Sequence, residues 1–192
     1  DQISDSVLDA FLAQDKNSRV AVETVLKTGF IGLFGEVTSR GEISYSDVVR
    51  QVVREIGYDH SDKGFCANTC ALLVGIEAQS PDISQGVDTQ LHGQEKEQGA
   101  GDQGLMFGFA CDETEELMPL PIMLSHKLAR RLTEVRKNGQ HPLLRADGKT
   151  QVTVRYEGFR PVSVDAVVVS SQHDASLKLT DIKEFIIEDV IK

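Results

Sequence analysis

Apolar side chains recur at helical spacing over residues 2–14, where Ile3, Val7, Leu8 and Phe11 form one stripe on a polar segment. Residues 20–27 are rich in β-branched side chains and predict a strand. Residues 31–38 predict a second, with Gly29-Phe30 as the two-residue turn of a hairpin. Ser44 with Asp47 three residues on is a variant of the capping box. Val48, Val49, Val52, Val53 and Ile56 give that helix a buried face, and Gly57 ends it. The apolar run from Thr69 to Ile76 predicts a central strand. Residues 80–103 interrupt the periodicity with Ser, Pro, Gln, Gly and Asp, and a loop of this length is functional or disordered. A strand over 105–110 follows, then a long helix opened by Pro119 and Pro121, lined by Leu124, Leu128, Leu132 and Val135 and closed by Asn138-Gly139. A second hairpin spans 151–156 and 162–170, turning at Glu157-Gly158, and Thr180 caps a last helix. Both halves follow a helix–hairpin–helix plan with one more strand each, which predicts an α+β fold of two similar units.

Composition narrows the function classes. The 192 residues carry a net charge of −10 with 40% hydrophobic and 26% charged side chains, ordinary for a soluble globular protein. That charge argues against nucleic acid or an anionic membrane as the main partner, although a local Lys or a metal ion can still serve an anionic substrate. No apolar run reaches the roughly 20 residues of a membrane span. Cys66, Cys70 and Cys111 have no zinc or redox spacing and read as small buried hydrophobes. The chain opens on Asp1 in what reads as the middle of a helix, the pattern of a fragment.

Several residues could carry chemistry. Gly99, Gly101 and Gly104 surround Asp102, predicting a tight backbone with positive φ at one or more glycines and an acid able to grip a cation or an ammonium. With the turn at Gly29-Phe30, Glu23 lies directly opposite Glu36, an unfavourable pairing that calls for a positive neighbour. Lys27, solvent, a bound cation or a substrate ammonium would each satisfy it. Asp147-Gly148-Lys149 sets a carboxylate that could accept ribose hydroxyls beside a point charge for phosphate, though the same tripeptide serves in ordinary turns. Gln79 opens the long loop and could bind a polar substrate or simply face water. His173 has no triad partner, and His60, His92, His126 and His141 have no ligand spacing. Residues alone name no reaction.

The wording of the glycine-rich stretch is more specific. Gly99-Ala-Gly-Asp-Gln-Gly104 followed by Leu-Met-Phe-Gly resembles the signature of S-adenosylmethionine synthetases (methionine adenosyltransferases). Asp1-Gln-Ile-Ser-Asp5, Val22-Glu-Thr24, Gly35-Glu-Val-Thr38, Arg54-Glu-Ile-Gly-Tyr58, Gln79-Ser-Pro-Asp-Ile83, Gln85-Gly-Val-Asp88, Val135-Arg-Lys-Asn-Gly139, Lys149-Thr-Gln-Val152 and Ser171-Gln-His173 extend the resemblance over essentially the whole chain.

The resemblance implies a fold of repeated units, mixed or antiparallel sheets with helices on one face. Two of three units are expected: an N-terminal unit at 1–80, a flexible gating loop at 81–103 and a central unit at 104–192. It implies Glu23 at a potassium site, and Glu36, Gln79 and Asp102 at methionine. Asp147, Gly148 and Lys149 would meet ATP, with Asp102 and Lys149 as the catalytic groups. It further implies two Mg²⁺ per site on ligands outside this chain, K⁺, a homodimer or homotetramer with sites at the dimer interface, and a cytoplasmic location. The implied reaction joins methionine sulfur to C5′ of ATP and hydrolyses the displaced tripolyphosphate. The chain lacks the family's early His-Pro-Asp-Lys segment and its later phosphate-binding segments, so alone it is expected to be inactive. Residues 89–97 are longer than in some members. A truncated, non-catalytic paralogue that binds ligand or pairs with a full-length subunit is the alternative, and a nucleotide-binding protein outside the family a more distant one.

Overall fold

In a computed structural model the structure describes residues 1–87, 90, 91, 94, 95, 97 and 99–192. Asp88, His92 and parts of the stretch 89–97 lie outside the described residues. The chain divides into two units, Asp1–Met106 and Phe107–Lys192.

In the first unit, α1 (Gln2–Leu12) precedes a hairpin of β1 (Arg19–Lys27) and β2 (Phe30–Thr38). Then α2 (Tyr45–Ile56) crosses over to β3 (Ala71–Glu77), which pairs parallel to β2. The sheet order is β1-β2-β3. Even-numbered positions of β1 and odd-numbered positions of β2 point to the helices, because strand side chains alternate between faces. Val22, Ile31 and Leu33 therefore join Ile3, Val7 and Phe11 of α1 and Val49, Val52 and Val53 of α2 in one core. Ile31 and Leu33 are fully buried, and truncating either to Ala would cost about 2–5 kcal/mol. Ser44 caps α2 by accepting from the Asp47 N–H, and Gly57 ends it in the left-handed region, as the sequence predicts. Arg50 reaches from α2 to the carbonyls of Ala67 and Cys70, fixing the turn that launches β3.

Three expectations for this unit need correction. The apolar run 69–76 forms an edge strand beside β2 and not a central one: Leu72 and Ile76 face the core while Leu73 and Val74 are exposed. The hairpin turns at Thr28-Gly29, with Lys27 opposite Phe30. Gly29 takes φ +75°, so it fills a corner of the turn and leaves apolar Phe30 to the ladder. The interruption at 80–103 also holds structure of its own: α3 (Pro81–Val87) and a short antiparallel pair, β4 (Gln90–Leu91) with β5 (Gln94–Glu95).

In the second unit, α4 (Leu120–Lys137) starts behind Pro119, ends at Asn138-Gly139, and packs on a long hairpin, β6 (Leu144–Glu157) with β7 (Arg160–His173). The turn is Gly158-Phe159, one residue beyond the expected position, with Gly158 at φ +63°. Leu132, Val135 and Leu144 share a core with Ile182, Ile186 and Val190 of the last helix. That helix, α5 (Leu179–Phe185), widens into π-helical turns over Ile186–Ile191. Its N-cap is Lys178. Thr180 lies inside the first turn and donates to the Asp181 carboxylate, so it is no cap. His141 stacks on Phe185 at 4.2 Å and shares a 2.7 Å contact with Asp189, tying the end of α4 to the last turn. The run 105–110 is exposed and outside every ladder, because its backbone finds no partner strand among the described residues. No helix among the described residues is long and apolar enough to cross a membrane.

Candidate functional site

The face of the first sheet turned away from the helices carries the acids singled out by the sequence. The observed register sets Glu23 opposite Phe34 and Ala21 opposite Glu36. The expected Glu23–Glu36 confrontation is therefore a diagonal relationship, two residues out of register, because the turn lies one position earlier. A separate like-charge pair stands on the other side of β2. Glu36 lies directly across from Glu77 of β3. Such a pair is unfavourable unless something positive is near.

The backbone around Glu36 is shaped by glycines. Phe34 lies flat across the open face, and a Cβ on Gly32 or Gly75 would meet its ring at 2.6 and 3.0 Å. Gly35 has φ +144°, and a Cβ there would lie 1.8 Å from the Ala21 carbonyl oxygen. Neighbouring Glu36 thus stands on a backbone pressed against β1 to an extent only glycine permits.

Gln79 lies two residues past β3, at the same end of the sheet. Its Oε1 accepts a 3.0 Å hydrogen bond from Arg19 Nε at the start of β1. Arg19 pairs with Thr38, two rows beyond the Ala21–Glu36–Glu77 row and on the same face. Sequence reasoning missed Arg19, because nothing before the strand order brings residue 19 near residue 79.

Asp102 sits in an exposed loop and accepts from the Gln103 N–H at 2.7 Å. None of Gly99, Gly101 and Gly104 takes positive φ, contrary to expectation. Their use is close approach: Gly99 N–H donates to the Gly86 carbonyl at 2.9 Å, and a Cβ on Gly99 would meet that oxygen at 2.6 Å. The glycine-rich stretch is held there against the end of α3.

In the second unit Asp147, Gly148 and Lys149 lie within β6, at a register irregularity between Leu144 and Gly148. They form no reverse turn. Lys149 Nζ reaches both Asp147 oxygens, at 3.2 and 3.3 Å. Their side chains are 75% and 58% exposed, so the pair contributes about 1 kcal/mol at most and separates readily for a phosphate. A Cβ on Gly148 would meet Leu132 of α4 at 2.6 Å, at the end of a flexible side chain. Next to Lys149, Thr150 and Ser125 are laced reciprocally: each hydroxyl donates to the other's carbonyl at 2.8 Å, clamping α4 to the strand. Farther along β6, Tyr156 Oη donates to Glu113 Oε2 at 2.5 Å, and the Leu120 N–H donates to the same oxygen at 3.0 Å. The Leu120 N–H and the Tyr156 hydroxyl hold Glu113 below its ordinary range, while the Glu113 carboxylate pushes the tyrosine up to about 12. Ser125 and Glu113 carried no sequence signal of these roles.

Glu23 offers an exposed carboxylate, with Glu36 diagonal to it, on the same open face. Among the described residues no group of three or more His, Cys, Asp or Glu side chains is arranged to hold a metal ion.

Comparison with known proteins adds identity to this geometry. The family model described as S-adenosylmethionine synthetase, N-terminal domain, matches residues 1–81, and that for the central domain matches residues 97–192. A protein of Parafrankia sp. (strain EAN1pec) named S-adenosylmethionine synthase is 55% identical over 201 aligned residues, covering 98% of this chain and 50% of that protein. Proteins of the same name from Gloeothece citriformis (strain PCC 7424) and Desulfosudis oleivorans (strain DSM 6200 / JCM 39069 / Hxd3) are 55% and 53% identical. They cover 94% and 100% of this chain and 45% and 49% of their own lengths. The chain spans about half the length of the curated relatives it matches. With both domain models falling on it in order, the chain belongs to the S-adenosylmethionine synthetase family.

Proposed function

We propose that this chain supplies the methionine side and part of the nucleotide side of a methionine adenosyltransferase. Methionine sulfur donates its lone pair to C5′ of ATP, a carbon–sulfur bond forms as the C5′–oxygen bond breaks, and the electron pair leaves with the tripolyphosphate. Water then cleaves that product to phosphate and pyrophosphate. The nucleophile belongs to the substrate, so the protein needs no activated Ser or Cys. Its work is alignment and charge neutralisation.

Glu36 and Gln79 bind methionine, and Asp102 takes its ammonium. Asp147 accepts the ribose hydroxyls, Gly148 lets the strand sit against α4, and Lys149 exchanges Asp147 for the polyphosphate. Glu23 holds K⁺. The two Mg²⁺ ions implied by the family resemblance would be held by residues outside this chain and would neutralise the polyphosphate. Residues 81–103 serve as the gating loop between an N-terminal unit at 1–80 and a central unit at 104–192. The working enzyme is a cytoplasmic homodimer or homotetramer.

The observation that supports this reading most is the convergence of Glu36 and Gln79 at one end of one sheet, beside a cation and on a glycine-shaped backbone. Steady-state kinetics of the in-frame full-length protein test it. Glu36→Gln should raise the KM for methionine and Lys149→Met the KM for ATP. Equal effects of both variants on both substrates would refute the assignment.

A further inference from the structure

We propose that Arg19 is a positioning residue that sets the Gln79 carboxamide for the amino-acid substrate. The inference rests on the reading of Gln79 as a methionine contact. A guanidinium can only donate hydrogen bonds, so the Gln79 atom facing it at 3.0 Å must be the oxygen. The amide is thereby fixed in one of its two flips, and both N–H donors remain to be presented elsewhere. They suit an acceptor on the substrate, its carboxylate. Without Arg19 the side chain would have three rotatable bonds and two flip states to order on binding, at a cost in affinity.

The two residues differ in how firmly they are held. Arg19 opens β1 and is paired with Thr38 in the ladder, while Gln79 stands two residues outside β3 at the start of the long connection. The strand fixes the loop residue across 60 positions of sequence. This half-buried permanent cation stands two rows from the Glu36–Glu77 pair, on the same face of the sheet.

Arg19 has a further interaction of its own, so a double variant is needed to isolate the path through Gln79. The test measures KM for methionine and for ATP, kcat and the unfolding midpoint on the in-frame full-length protein. In wild type, Arg19→Met should raise the methionine KM about tenfold, the equivalent of one charge-assisted hydrogen bond, with the ATP KM within about twofold. Arg19→Lys should recover most of the loss. In a Gln79→Ala background Arg19→Met should add nothing. A full Arg19→Met effect in that background, or an equal rise in the ATP KM, overturns the positioning role. Gln79→Ala with unchanged methionine KM overturns the reading of Gln79 itself. Should Arg19→Met fail to fold, Gln79→Glu decides: it keeps a partner for Arg19 but removes the amide donors. Its methionine KM should match that of Gln79→Ala at an unchanged unfolding midpoint. A wild-type methionine KM in Gln79→Glu would overturn the proposal.

Discussion

A Cβ atom on Gly35 would sit 1.8 Å from the carbonyl oxygen of Ala21, closer than any non-bonded carbon and oxygen can approach. Gly35→Ala therefore forces β1 and β2 apart beside Glu36, in addition to placing a side chain at φ +144°. The expected loss is more than about 2 kcal/mol. Gly29→Ala is the control, because at φ +75° its added carbon meets nothing within 4 Å and the cost should stay near 1 kcal/mol. Urea denaturation of both variants checks the difference, which vanishes if the approach of the two strands is relaxed.

Lys149 and Asp147 form an exposed pair whose loss should barely touch stability, about 0.5 kcal/mol or less. Catalysis should respond differently. In the in-frame full-length protein Lys149→Met should lower kcat/KM for ATP by roughly 10²–10³, the scale of removing one preorganised charge from a transition state. Steady-state kinetics alongside thermal unfolding separate the two effects.

The Glu113–Tyr156 contact gives stability a pH signature with two limbs. Glu113 is lowered from its ordinary 4.5, first by the Leu120 N–H and then by the Tyr156 hydroxyl. The folded state thus binds that proton less readily than the unfolded chain. Its contribution is complete above about pH 4.5 and is lost as pH falls through the folded value. Tyr156 has the opposite sign: raised from 10.0 to about 12, it contributes fully below pH 10 and loses that contribution as pH rises toward 12. Urea midpoints against pH should therefore be flatter in Glu113→Gln than in wild type at both ends. Parallel curves would show that the contact does not contribute.

Gly99→Ala tests the loop. Its added carbon would meet the Gly86 carbonyl at 2.6 Å, so the glycine-rich stretch must move away from the end of α3. Turnover by the full-length protein should fall severalfold while stability changes by about 0.5 kcal/mol or less. Gly108→Ala, with nothing within 4 Å, should be silent in both measurements.

Much of this architecture was legible in the sequence, and its failures have physical causes. The capped helix at Ser44 and the long helix behind Pro119 were readable, because caps and prolines act locally. The hairpin was readable as a hairpin, but its register was not. Gly29 can occupy either corner of a two-residue turn, and moving it by one position sets Glu23 opposite Phe34 in place of Glu36. The run 105–110 has the composition of a strand, yet a strand also needs a partner, which composition cannot supply. Arg19 was invisible as a site residue because its contact with Gln79 exists only after β1, β2 and β3 assemble side by side. The glycine-rich sequence predicts left-handed backbone at Gly99, whereas its close approach to Gly86 is what requires glycine there.

The most direct measurement is product formation by the in-frame full-length protein supplied with ATP, L-methionine, Mg²⁺ and K⁺. The expected products are S-adenosylmethionine, phosphate and pyrophosphate in equal amounts, with no product when methionine is omitted. A folded full-length protein that hydrolyses ATP without methionine, or makes no S-adenosylmethionine, would contradict the proposed activity.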